Sequence, residues 1–132
     1  MTSSYGLRAN LSMPYERAIE AVTAALKEEG FGVLTEIDVK ETLKKKLDAD
    51  FRRYVILGAC NPNLAYQALQ TELEIGLLLP CNVIVYEVEE GATVVSIVDP
   101  LSMLGIVEGE ALKSVANEAN ARLTRVIDSL AG

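Results

Sequence analysis

PCNVIVYEVEEGATVVSIV, residues 80–98, is the stretch on which the fold turns. Two runs rich in β-branched residues flank Glu89-Glu90-Gly91, a chain-reversing turn. Residues 80–88 and 92–98 therefore read as an antiparallel hairpin. Pro80 fits as the start of its strand, where a missing N–H costs no ladder bond.

Upstream, RYVILGAC at residues 53–60 is a third apolar strand. Asn61-Pro62 follows it, a capping residue and then proline in a first helical turn. That helix is expected to run to about Leu73 or Glu74, with Gly76 beyond it. Downstream, Asp99-Pro100 takes the chain out of the sheet. A final helix over residues 110–130 keeps Leu112, Val115, Ala119, Leu123, Val126 and Leu130 on one side.

Nearer the N-terminus, residues 5–12 read as a first strand. Ser12 is the expected cap of a helix with Pro14 in its first turn and Ala18, Ile19, Val22, Ala25 and Leu26 as its apolar stripe. Gly30 ends it. Residues 32–39 form another strand, with Val33, Thr35, Ile37 and Val39 on one face. Asp38 and Glu41 then stand at capping-box spacing for a short helix through Leu43 and Leu47.

The sum is an α+β class: a largely antiparallel five-stranded sheet packed with helices, in one domain over residues 1–132. Strands 55–57, 83–85 and 94–95 are apolar on both faces. Helices on one side would leave an apolar patch on the other, so a homodimer is expected.

The chain has 132 residues and a net charge of -7. That charge argues against nucleic acid as a partner. Lys44, Lys45, Lys46, Arg52 and Arg53 are the local exception and read as a solvated face. No apolar run is long enough to span a membrane, and Met1 to Asn10 lack the pattern of a leader. A cytoplasmic, reducing location is expected, with Cys60 and Cys81 as thiols. There is no histidine, which removes histidine acid/base catalysis, Ser-His-Asp triads and most catalytic zinc sites. Gly30-Phe31-Gly32 and Gly105 to Gly109 match no phosphate-binding loop.

Gly58-Ala59-Cys60-Asn61-Pro62, the Leu77-Leu78-Leu79-Pro80-Cys81-Asn82-Val83 run and Asp99-Pro100 together resemble the domain-of-unknown-function family 302. The resemblance covers nearly the whole chain. It implies a TATA-binding-protein-like β-α-β(4)-α fold with extra short helices, and dimeric members. It implies no activity. It also suggests that strands three to five form an antiparallel meander, which needs residues 75–79 to return along the helix as an extended segment. The rival topology is ferredoxin-like, βαββαβ plus β-α, with a crossover helix making strands three and four parallel.

In the meander, Cys60 and Cys81 lie at the same end of the sheet, with Asp99, Pro100 and Met103 nearby. The helix start at Asn61-Pro62 adds N–H groups and a dipole that favour an anion, or a thiolate at Cys60. Three readings follow. Cys60, Asn61, Pro62, Pro80, Cys81 and Asp99 line a cleft for a small anionic or apolar ligand. Cys60, Cys81 and Met103 hold a thiophilic metal such as Cu(I) or Zn(II). Or the two thiols are the candidate catalytic pair of a redox protein or enzyme, with Cys60 as the low-pKa member. A purely structural dimer module is the bland alternative, because free cysteines are often just small buried hydrophobes.

Overall fold

In the computed structural model the hairpin forms as read. β4 (Cys81–Glu89) pairs antiparallel with β5 (Ala92–Val98), and Gly91 takes the turn with φ 79°. The structure describes residues 5–104 and 109–131. Residues 1–4 of the N-terminal stretch read for a leader, and residues 105–108 of the glycine-flanked stretch, lie outside that range.

β1 (Gly6–Leu11), β2 (Gly32–Asp38) and β3 (Tyr54–Cys60) complete one sheet in the order β1-β5-β4-β3-β2, every pair antiparallel. β3 and β4 run antiparallel although a helix lies between them, so the meander holds and the ferredoxin-like order does not.

The pleat sorts the side chains. Val55 and Leu57 of β3, Val83 and Val85 of β4, and Val95 and Ile97 of β5 share one face and are all buried. α1 (Tyr15–Glu28) places Ala18, Val22 and Leu26 in the same cluster. α5 (Glu110–Ala131) adds Leu112, Val115, Ala116, Ala119, Leu123, Val126 and Ile127. These two helices therefore cover one side of the sheet. The opposite face carries Tyr54, Ile56, Ile84, Tyr86 and Val94. Tyr54 and Tyr86 stack there, with centroids 5.3 Å apart and planes at 8°. Phe51 tilts against Tyr54 at 6.0 Å.

Several local expectations are corrected. The residue before α1 is Pro14, with φ -64° and no side-chain cap. Ser12 lies too far upstream to cap it. Strand β2 does not present one apolar face: its register slips between Val33 and Thr35, which leaves Leu34 bulged out and 68% exposed. Val39 is already the first residue of α2 (Val39–Leu47), capped as expected by Asp38, whose Oδ1 accepts from Glu41 N at 2.9 Å.

The helix after β3, α3 (Pro62–Thr71), stops sooner than expected. Glu72 turns extended at φ -147°, and its carboxylate caps a 3₁₀ segment, Leu73–Leu78, by accepting from Glu74 N at 2.9 Å. The return to β4 is thus a tight 3₁₀ coil, where an extended strand-like run was expected. Ile75, 1% exposed, anchors that segment in the core, and Leu78 packs against it partly buried.

The basic run behaves as a solvated face. Lys44 pairs with Asp48 at 2.9 Å and Lys45 with Glu41 at 2.9 Å. Arg53 pairs with Glu16 and lies over the Tyr15 ring, 5.9 Å from its centroid.

Candidate ligand-binding site

Where β3 ends and β4 begins, the protein encloses a cavity of about 360 Å³. Ala59 and Cys60 close β3 on its wall; Leu79, Pro80 and Cys81 lead into β4 along it. α3 contributes Leu64, Ala65, Ala68 and Leu69, one face at helical spacing. α5 contributes Val115 and Ala119, one turn apart. Val98 ends β5 there, followed by Pro100 and Met103 of α4 (Pro100–Leu104).

The hollow exists because small residues stand where these elements converge. Ala59, Ala65, Ala68, Gly76 and Ala119 all border it. Larger aliphatic side chains at those positions would fill the space to the density of an ordinary core.

Asn61 is buried beside the cavity, and its Oδ1 accepts from Leu64 N at 3.2 Å. Ala65 N goes to Asn61 O at 2.9 Å, and Pro62 has no N–H to give. The first turn of α3 is thus largely satisfied from within. Among the described residues the lining carries no charged side chain. The features that would hold an anion are therefore spent or missing, which corrects the expectation drawn from the helix start.

Of the residues proposed from sequence, Cys60, Asn61, Pro80, Cys81 and Met103 meet around the cavity. Pro62 and Asp99 do not line it. Pro62 begins α3 and does not reach the wall. Asp99 turns its carboxylate away: Oδ1 accepts from Leu101 N and from Asn120 Nδ2, each at 2.9 Å, and Oδ2 accepts from Ser102 Oγ at 3.4 Å. Its carbonyl receives the N–H of Met103 at 3.1 Å, so Asp99 holds the turn that brings Met103 to the wall.

Both cysteines are free thiols. Burial pushes Cys60 upward from its ordinary range. Burial, with Cys60 beside it, pushes Cys81 up to about 11. The low-pKa thiolate expected at Cys60 is thus corrected: desolvation outweighs the helix dipole. Register separates them further. Cys81 lies opposite Ala59, and Cys60 opposite Gly32. Pleat alternation sends their side chains to different faces of the sheet, a poor start for the roughly 4 Å Cβ separation of a disulfide.

Residues 7–130 match the model of the family described as Domain of unknown function DUF302. The chain belongs to this family. A crystal structure of an uncharacterized conserved DUF302 protein from Bacillus stearothermophilus is similar to it, with a TM-score of 0.87 and 34% identity, over 97% of this chain and 99% of that chain. No curated protein matches it.

The sequence of this DUF302 chain concealed part of the wall. Phe31, Leu34 and Thr35 border the cavity but sit 25 or more positions before Cys60 in the chain. Only the bulge in β2 turns Leu34 toward the opening. Val115 and Ala119 were legible as an apolar stripe, with nothing to mark them as wall. No helix among the described residues of this DUF302 protein is long and apolar enough to cross a membrane.

Proposed function

We propose that this DUF302 domain is a homodimeric binding module that takes a small apolar ligand into the cavity beside Cys60, Cys81 and Met103. One observation carries the reading: a hollow of about 360 Å³ whose wall is nearly all carbon. Pockets of roughly 300–1,000 Å³, mostly apolar with a few polar groups, are the usual form of small-molecule sites. Here Thr35, Asn61 and the two neutral thiols are the polar points.

The test uses the neutral fluorophore 1-aminoanthracene, which brightens on entering apolar surroundings. The wild-type protein saturably enhances its emission, and Ala65→Phe, which fills the cavity from α3, loses the enhancement while keeping a cooperative melt. Equal enhancement by both proteins rejects the site.

The dimer is supported by the apolar sheet face left uncovered by α1 and α5. Tyr54, Ile56, Ile84 and Tyr86 lie on it, and Ile37 at its edge is 50% exposed. A stable interface needs roughly 800 Å² per partner, which a five-stranded face can supply. Solution mass measured by light scattering at micromolar concentration tests it; a monomer rejects it.

A second reading draws on Cys60, Cys81 and Met103, three soft donors that all border the cavity. A Cu(I) or Zn(II) ion there would have to displace protons from two thiols that burial keeps protonated. Metal titration of the reduced protein decides it, with Cys81→Ala as the control that abolishes uptake.

A further inference from the structure

We infer that the ligand is an uncharged molecule with a single aliphatic chain of about a dozen carbons, lying across the end of the sheet with its polar end at Leu34. The inference rests on the apolar-ligand reading and specifies its chemistry.

Shape is the first argument. The cavity wall takes residues from four neighbouring strands: Leu34 of β2, Cys60 of β3, Cys81 of β4 and Val98 of β5. Three interstrand steps make a trough roughly 14 Å long. A trough of that length with a wall of carbon suits one extended hydrocarbon chain.

A fully staggered chain of about a dozen carbons matches the trough's length.

Orientation follows from exposure. Leu34 and Gly76 border the cavity and are exposed, so it opens at the β2 edge and beside the 3₁₀ segment. Ala68 and Ala119 are buried along the inner wall and Pro100 at the β5 end. The tail therefore points toward Pro100 and Met103, and the polar end stays at Leu34.

Charge completes it. No cationic side chain among the described residues lines the cavity, and the protein carries a net charge of -7. A carboxylate end group finds no partner and an unfavourable field. An alcohol or another neutral end group suits the site better.

The experiment displaces 1-aminoanthracene with primary alcohols from hexanol to tetradecanol, with dodecanoate at pH 8, and with the compact alcohol 1-adamantanol. Affinity is expected to rise about fourfold per added methylene and to level off near dodecanol. Dodecanoate binds at least about tenfold more weakly than dodecanol. Leu34→Arg, at the opening, is expected to reverse that preference, read as the ratio of the dodecanoate and dodecanol affinities. Equal competition by 1-adamantanol, no gain with chain length, or dodecanoate matching dodecanol overturns the chain assignment and leaves the apolar site standing. Failure of the fluorophore to bind the wild-type protein overturns the site, and the chain assignment with it.

Discussion

Thr35 stands directly over Gly58, its partner in the β2–β3 register, and fills the space a side chain at that position would need. A Cβ on Gly58 would overlap Thr35 Oγ1 and lie 2.8 Å from Pro80 Cγ. The bulge at Leu34 sets this register. One glycine thus lets the β2 edge and the entry to β4 close over the strand that carries the cavity wall.

Gly58→Ala is accordingly expected to destabilise the protein by about 1–3 kcal/mol through overpacking. The cost appears as a lower denaturation midpoint with an unchanged slope. Thr35→Ala in the same chain recovers part of the loss, because Pro80 still crowds the site. Full tolerance of Gly58→Ala would refute the close approach.

Asp99 joins the end of β5 to α5 through Asn120, in addition to capping its own turn. Asp99→Ala should cost about 1–2 kcal/mol, the usual range for a lost cap and charged hydrogen bond. The pair Asp99→Ala with Asn120→Ala should cost less than the sum of the two alone, as expected for residues in one network. Additive losses in urea unfolding would show that the two act independently.

Folding raises the Cys81 thiol from 9.0 to about 11, so the native state holds this proton more tightly than the unfolded chain. The stability linked to it is fully present below about pH 9 and is lost as pH rises through 11, with a ceiling of roughly 2–3 kcal/mol. Tyr15, pushed up to about 12 chiefly by burial, weakens the fold in the same direction at higher pH. The informative quantity is therefore the difference between wild type and Cys81→Ala, whose stability should fall less steeply between pH 9 and 11. Parallel pH curves for the two proteins would contradict the shift.

Iodoacetamide offers a kinetic counterpart. At pH 8 Cys81 should alkylate far more slowly than free cysteine, since only the thiolate reacts. Peptide mass mapping after timed quenching would detect the difference, and rapid labelling of Cys81 in the folded protein would count against its burial.

Ile75 is the buried residue of the 3₁₀ segment. Ile75→Ala should cost about 2–4 kcal/mol and should speed hydrogen exchange at residues 73–79 more than in the sheet. Uniform acceleration across the chain would mean that the segment opens only with global unfolding.

Regular elements were legible because their signals are local. Alternation and β-branching marked β3, β4 and β5; Asn61-Pro62 marked the start of α3, and Asp38 with Glu41 that of α2. The misreadings came from competition that no single window displays. Glu72 ends α3 by capping the segment after it, and a bulge breaks the apparent apolar face of β2. The cysteines were placed at the correct end of the sheet, but their faces depend on a pairing register decided by distant residues. Thr35 and Leu34 join the wall only through that same register.

The turn over Leu73–Leu78 gives the molecule a loosely latched door. Its 3₁₀ bonds are weaker than those of an α-helix, and Ile75 is its one fully buried side chain. Lifting it would bare the trough while every strand of the sheet kept its partners. Opening of this segment and unfolding of the whole domain can then proceed on separate clocks.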